Sequence, residues 1–224
     1  MTLHGNGAPR TSSGARRRAL ALAGAGLAIL VTVGVVACQK QPPADVGAPA
    51  VSALASSAPA PPPSITVADG SVPTADAPDA PKAIRIPALK LDATVAAVGV
   101  DAATGEFDVP PSVDRVGWYR FGPGVSATAG SIVIAGHVDS AAQGRGAFFR
   151  LGSMSPGDKV FLDDREFEVV GRERYAKTKI PLNRYFARDG ALRLTLITCG
   201  GPFDAATRHY RDNVVVTATP VEGP

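Results

Sequence analysis

The sequence predicts a mainly β fold, a closed or nearly closed barrel or sandwich. Three observations predict it: short β-branched runs recur between Ala83 and Ala218, turn residues separate them, and two stretches there suit short helical turns.

The runs follow in order. Ile84-Arg85-Ile86 alternates, and Ala93 to Val100 is a second short apolar run. Gly130 to Gly136 is the third, Lys159 to Leu162 the fourth and Phe167 to Gly171 the fifth. Leu192 to Thr198 and Asn213 to Ala218 complete the set. Ala103-Thr104-Gly105, Gly122-Pro123-Gly124, Pro156-Gly157-Asp158 and Arg188-Asp189-Gly190 supply the turns between runs. Gly146–Leu151 and Pro181–Phe186 are the expected helical turns.

Ahead of this domain, expected over 82–224, the chain divides into three. Residues 1–18 form a basic tail ending in Arg16-Arg17-Arg18, followed by an uncharged run from Ala19 to Ala37 of the length that spans a bilayer. Arginines before that run place the N-terminus in the cytoplasm and the domain outside. Residues 19–38 read either as an uncleaved signal anchor or as a signal peptide core. Val35-Val36-Ala37-Cys38 also has the form of a lipobox, which would make Cys38 a lipidation site. Residues 39–81, rich in Pro, Ala, Ser and Val, are expected to be an extended linker, because they lack the large apolar side chains that offset ordering entropy. At roughly 3.1 Å per residue it would reach on the order of 100 Å.

The formal charge of +3 is unevenly spread. Residues 1–40 carry five bases and no acid, and 41–81 four acids and no base. The domain itself is nearly balanced, so no clustered basic face for nucleic acid is expected. Two cysteines, Cys38 and Cys199, do not make a disulfide scaffold. A lone thiol in an exported domain calls for an explanation.

Cys199 ends a strand and precedes Gly200-Gly201-Pro202, a position from which a nucleophile can face a groove; its bland reading is a buried structural cysteine. His137, in Ala-Gly-His-Val-Asp, also lies where a strand gives way to a loop, and it is the leading partner for a thiol, with His209 in reserve. Arg211 directly precedes the last strand, and a hairpin from Cys199 to Asn213 would return it beside the cysteine to stabilise an oxyanion. Arg208 is the confounder, and a surface pair with Asp212 is the bland alternative.

These residues resemble the sortase family. Thr195-Leu196-Ile197-Thr198-Cys199 is similar to its TLxTC signature, Gly136-His137 to its strand-end histidine, and Arg211 before Val214-Val215-Val216 to its final-strand arginine. The resemblance covers roughly Ala83 to Ala218. Gly-His-Val-Asp-Ser and Tyr-Arg-Asp-Asn-Val-Val-Val look most like the actinobacterial class F group. The resemblance implies an eight-stranded barrel and a cysteine transpeptidation with no metal or organic cofactor. Cys199 would attack the Thr–Gly bond of an LPxTG-like sorting signal to give a thioacyl enzyme. His137 would act as acid and base, Arg211 would hold substrate or oxyanion, and Thr198 would add a substrate-binding hydrogen bond in the groove. Implied partners are secreted proteins with such a signal and a cell-wall amine; the membrane is reached through the N-terminal segment, and a monomer is expected. The loops Ser140–Gly146 and Ala176–Phe186 are expected to shape the groove.

Papain-like peptidases place cysteine before histidine, the reverse of this chain, and L,D-transpeptidases carry a different motif at the nucleophile. The non-enzymatic alternative is a membrane-tethered binding module on a catalytically silent sortase-like barrel. Intact Cys199, His137 and Arg211 argue against it.

Overall fold

The computed structural model describes residues 45–56, 79–100 and 107–221. The apolar run Ala19–Ala37 and Cys38 lie outside them, and among the described residues no helix is long and apolar enough to cross a membrane.

Eight strands close into a barrel. They are β1 (Ala83–Ile86), β2 (Leu91–Val98), β3 (Val116–Tyr119), β4 (Ser131–Gly136), β7 (Lys159–Leu162), β8 (Arg165–Ala176), β9 (Arg193–Asp204) and β10 (His209–Pro220). Between β4 and β7 a small hairpin, β5 (Asp139–Ser140) with β6 (Gly144–Arg145), stands apart from the barrel. The barrel order is β1-β2-β3-β4-β9-β10-β8-β7, with β2–β3 and β4–β9 parallel and the other neighbours antiparallel. Closure leaves no open sheet edge.

Strand alternation decides what faces inward. Ile132 and Ile134 on β4, Leu194 and Leu196 on β9, and Val216 and Ala218 on β10 fill the interior with Phe148, Met154 and Phe167. The alternate residues Ile197 and Val215 face outward into a second apolar cluster with Tyr185 and Val51. A short helix, α2 (Leu182–Tyr185), lies in the β8–β9 connection where Pro181–Phe186 was expected to turn. The other expected turn, Gly146–Leu151, closes in a 3-10 turn at Leu151–Ser153. One barrel strand, β3, was not expected: it has four residues, one a glycine, and is anchored by Trp118, whose buried indole donates to the Pro123 carbonyl at 2.9 Å.

The segment expected to be an extended linker differs over residues 45–56. Val46 exchanges both backbone hydrogen bonds with Arg172 (2.8 and 2.7 Å), and Asp45 accepts from the Arg174 amide at 2.8 Å. The helix α1 (Ala48–Ser56) follows, and its Val51 is buried at 2% exposure against Tyr185 and Val215. The approach requires a glycine at 171, since a Cβ there would lie 2.5 Å from Val51 Cγ2. Composition gave no hint of this docking because one valine in a pocket made by distant strands carries it. At the far end of the Pro-rich stretch, Asp79 is fixed by the amides of Val125 (to its carbonyl, 3.0 Å) and Ser126 (to its carboxylate, 2.6 Å).

A chain starting at Lys82 is therefore expected to be less stable than one starting at Asp45 by about 2 kcal/mol, the order of one buried valine side chain. In parallel thermal melts the shorter chain should unfold roughly 4–8 °C lower. Equal midpoints would mean that the docked helix contributes nothing to stability.

Candidate active site

The parallel pairing of β4 with β9 runs from Ser131↔Arg193 to Ala135↔Ile197. Carried two residues further on each chain, the same register sets His137 level with Cys199. Both have the parity of Ile197, so both belong to the outer face, on neighbouring strands about 4.8 Å apart. On the other side of β9, Cys199 pairs with Asn213 of β10. Continued in this way, the register puts the expected nucleophile and acid/base at one level of one face, and both are half-buried.

The two are held differently. Cys199 lies within β9, which runs on through Gly200 to Asp204, so its backbone is fixed by pairing on both sides of the residue. His137 stands one residue past β4 and is fixed by the loop. Its Nε2 hydrogen-bonds to the Pro110 carbonyl at 2.9 Å, and its own carbonyl accepts from the Phe148 amide at 3.0 Å. A carbonyl can only accept, so Nε2 carries a proton and Nδ1 is the nitrogen left to exchange one. Gly146 is obligatory beside it, because a Cβ there would fall 2.2 Å from the His137 carbonyl oxygen.

Thr198 does not face the groove as expected. It shares the inward parity of Leu196, is 4% exposed, and donates its hydroxyl to the Gly136 carbonyl at 2.8 Å. Alternation forbids adjacent strand residues from sharing a face, so Cys199 outside means Thr198 inside. Its hydroxyl ties β9 to β4 directly beneath the level of Cys199 and His137.

Arg211 sits where the β9–β10 register shifts between Tyr210 and Asp212. Its side chain is two-thirds exposed, and the contact it makes is an ion pair with Asp204 at 3.0 Å. Arg211, then the amides of Thr207 and Ala206, hold the Asp204 carboxyl below the usual carboxylate range. The expected return of Arg211 by a hairpin is present, but its guanidinium is engaged five residues beyond Cys199 along β9. The alternatives lie farther off. His209 is exposed and pairs with Asp204, four residues from Asn213 and on the order of 13 Å along the strand. Arg208, at a positive φ of 58°, forms the turn itself. Asp212, offered as Arg211's bland partner, instead pairs with Arg174 at 3.5 Å.

Three participants were not singled out from sequence. Pro110 carries the carbonyl that orients His137, and Tyr210 donates its hydroxyl to Asp139 at 2.5 Å. Pro110 and Asp139 contact partners 27 and 71 residues away, separations that no local pattern reveals. The expected groove loops are the β5–β6 hairpin and the α2 connection, where Leu182 exposes 56% of its surface. Among the described residues no group of three or more His, Cys, Asp or Glu could hold a metal ion.

A thiol and an imidazole level on one face of a closed barrel form a candidate centre for thiol-based acyl transfer. Residues 84–221, more than half of the chain, match the Sortase domain family model. Sortase C1 of Streptococcus suis has a similar structure, with a TM-score of 0.50 and 15% identity over 64% of this chain and 74% of that one. Sortase A of Listeria monocytogenes gives 0.45 and 19% over 64% and 88%, and the SrtA sortase of Actinomyces oris 0.48 and 18% over 72% and 86%. No curated protein matches the sequence. The chain belongs to the sortase family, a family of cysteine transpeptidases.

Proposed function

We propose that this chain is an active transpeptidase that cleaves an LPxTG-like sorting signal between Thr and Gly and transfers the new acyl end to a cell-wall amine. What supports this reading is the β4–β9 register, which, carried two residues past Ala135↔Ile197, sets His137 level with Cys199 on the outer face. The Cys199 thiolate attacks the threonine carbonyl, and the tetrahedral intermediate collapses to a thioacyl enzyme as the glycine amine leaves. His137 protonates that amine and then takes a proton from the incoming amine. Arg211 leaves Asp204 to meet the oxyanion or the substrate backbone. The chain works as a monomer without metal or organic cofactor, in the manner of the class F group. Its N-terminal segment holds it at the outer face of the cell membrane, as a signal anchor or through lipid on Cys38.

The test is incubation of the chain from Asp45 with fluorogenic LPxTG peptides, with and without an amine acceptor. A thioacyl adduct on the Cys199 peptide and an amine-linked product by mass spectrometry are expected. No adduct across a panel of sorting peptides would leave the silent binding module as the better reading.

Arg211's pairing gives a second expectation. Asp204→Asn keeps the acceptor for the Ala206 and Thr207 amides, at 3.0 and 3.3 Å, and removes the charge that engages Arg211. A solvent-exposed pair holds Arg211 only weakly, so kcat/KM should rise by no more than about fivefold. A fall in kcat/KM would show that Asp204 serves Arg211 rather than competing for it.

A further inference from the structure

His137 lies beyond the last paired residue of β4, yet proton transfer needs its ring held to a fraction of an ångström. Most contacts of its loop fasten it on one side. His137 Nε2 goes to the Pro110 carbonyl, the Phe148 amide to the His137 carbonyl, and the Gly146 amide to the Val138 carbonyl at 2.9 Å. These tie the loop to residues 110 and 146–148. The side that matters for register with the nucleophile is the other one, facing β9 and β10.

Tyr210 closes that side. Its hydroxyl donates to Asp139 Oδ2 at 2.5 Å, a charge-assisted bond, two residues after His137 and at the first residue of β5. The phenol ring is fixed by edge-on packing against Phe203 of β9, with centroids 5.2 Å apart. Tyr210 also precedes Arg211 at the point where the β9–β10 register shifts, and such irregularities re-aim the side chains they carry. One hydrogen bond thus joins the loop of His137 to the hairpin that carries Cys199 and Arg211. The phenol is correspondingly pushed up to about 12, first by the bond to Asp139, then by burial and by the charges of Asp139 and Cys199.

We propose that Tyr210 and Asp139 are positioning residues, a clamp that holds His137 in register with Cys199 and Arg211. The proposal rests on the transpeptidase reading for its consequence, and on geometry alone for the clamp. It is tested on the full chain purified in detergent. Tyr210→Phe removes only the hydroxyl, and Asp139→Ala removes the acceptor. Each should lower kcat about tenfold with KM within about twofold, the signature of misplaced groups rather than lost substrate contacts. The double variant should be no worse than either single one, because both remove the same bond. Asp139→Asn, whose amide oxygen still accepts, should recover most of kcat. Hydrogen exchange gives a readout that needs no substrate: in Tyr210→Phe the amides of 138–147 should exchange faster, and in Asp139→Ala those of 204–212. Additive losses of kcat, or unchanged exchange in the opposite segment, would overturn the clamp. If the native chain turns over no sorting peptide, the transpeptidase reading fails while the exchange measurement still decides the clamp.

Discussion

Replacing Cys199 with alanine is expected to reduce peptide cleavage at least about a thousandfold, into the assay background, while the chain stays folded. The size follows from the covalent route. Acyl transfer through a thioester splits one difficult displacement into two easier ones, and removing the sulfur removes both. His137 alone would then have to activate water against an unactivated amide. Cys199→Ser should be nearly as poor, because a hydroxyl ionises far less readily than a thiol and its single imidazole partner must do more. The fold should survive because Cys199 is half-buried on the outer face and contributes nothing to the interior cluster of Leu194, Leu196 and Val216. Circular dichroism and thermal melts check that point beside the cleavage assay. Retained cleavage in the alanine variant would assign the nucleophile elsewhere.

The barrel was legible in the sequence, and the candidate pair stood out in it, for physical reasons that differ. The long strands announce themselves through β-branched runs such as Val214-Val215-Val216, whose alternation survives any surroundings. The strand β3 does not, because Val116-Gly117-Trp118-Tyr119 offers four residues and one glycine, and its pairing with β2 and β4 is a tertiary fact. Gly200-Gly201-Pro202 reads as a break, yet β9 continues through it to Asp204 by shifting register against β10. The inward turn of Thr198 was available from parity with Leu194 and Leu196, had the strand faces been assigned before the roles. Tyr210 and Asp139 were not available, since their meeting depends on how the barrel brings residues 71 apart together. Local chemistry marks a candidate nucleophile by its motif, whereas a contact between residues 71 apart is visible only once the chain is folded.

The largest structural loss is expected at Glu173, 5% exposed on β8. Its carboxylate accepts from Tyr175 at 2.8 Å and Tyr185 at 2.7 Å, and pairs with Arg184 at 3.2 Å. Tyr185 and Arg184 belong to α2, so this one carboxylate fastens the β8–β9 connection to the barrel. Glu173→Ala leaves a mostly buried guanidinium and a buried phenol without their acceptor, and should cost about 3–5 kcal/mol, roughly 10 °C in midpoint. Lys159 and Glu168 make a comparison, since their 2.7 Å pair is 38% and 47% exposed and its loss should leave the midpoint nearly unchanged. The same cluster sets an alkaline limit. Burial first, then the bonds to Tyr175 and Glu173, push the Tyr185 phenol far above its ordinary range, and burial raises Tyr175 as well. In the unfolded chain these phenols ionise near pH ~10, while the folded chain keeps their protons. The unfolded state then binds fewer protons, so stability falls as pH rises above about 10. Denaturant titrations from pH 8 to 11 should show that decline. A flat profile would mean that the phenols ionise in place and that the Glu173 cluster is looser than its distances imply.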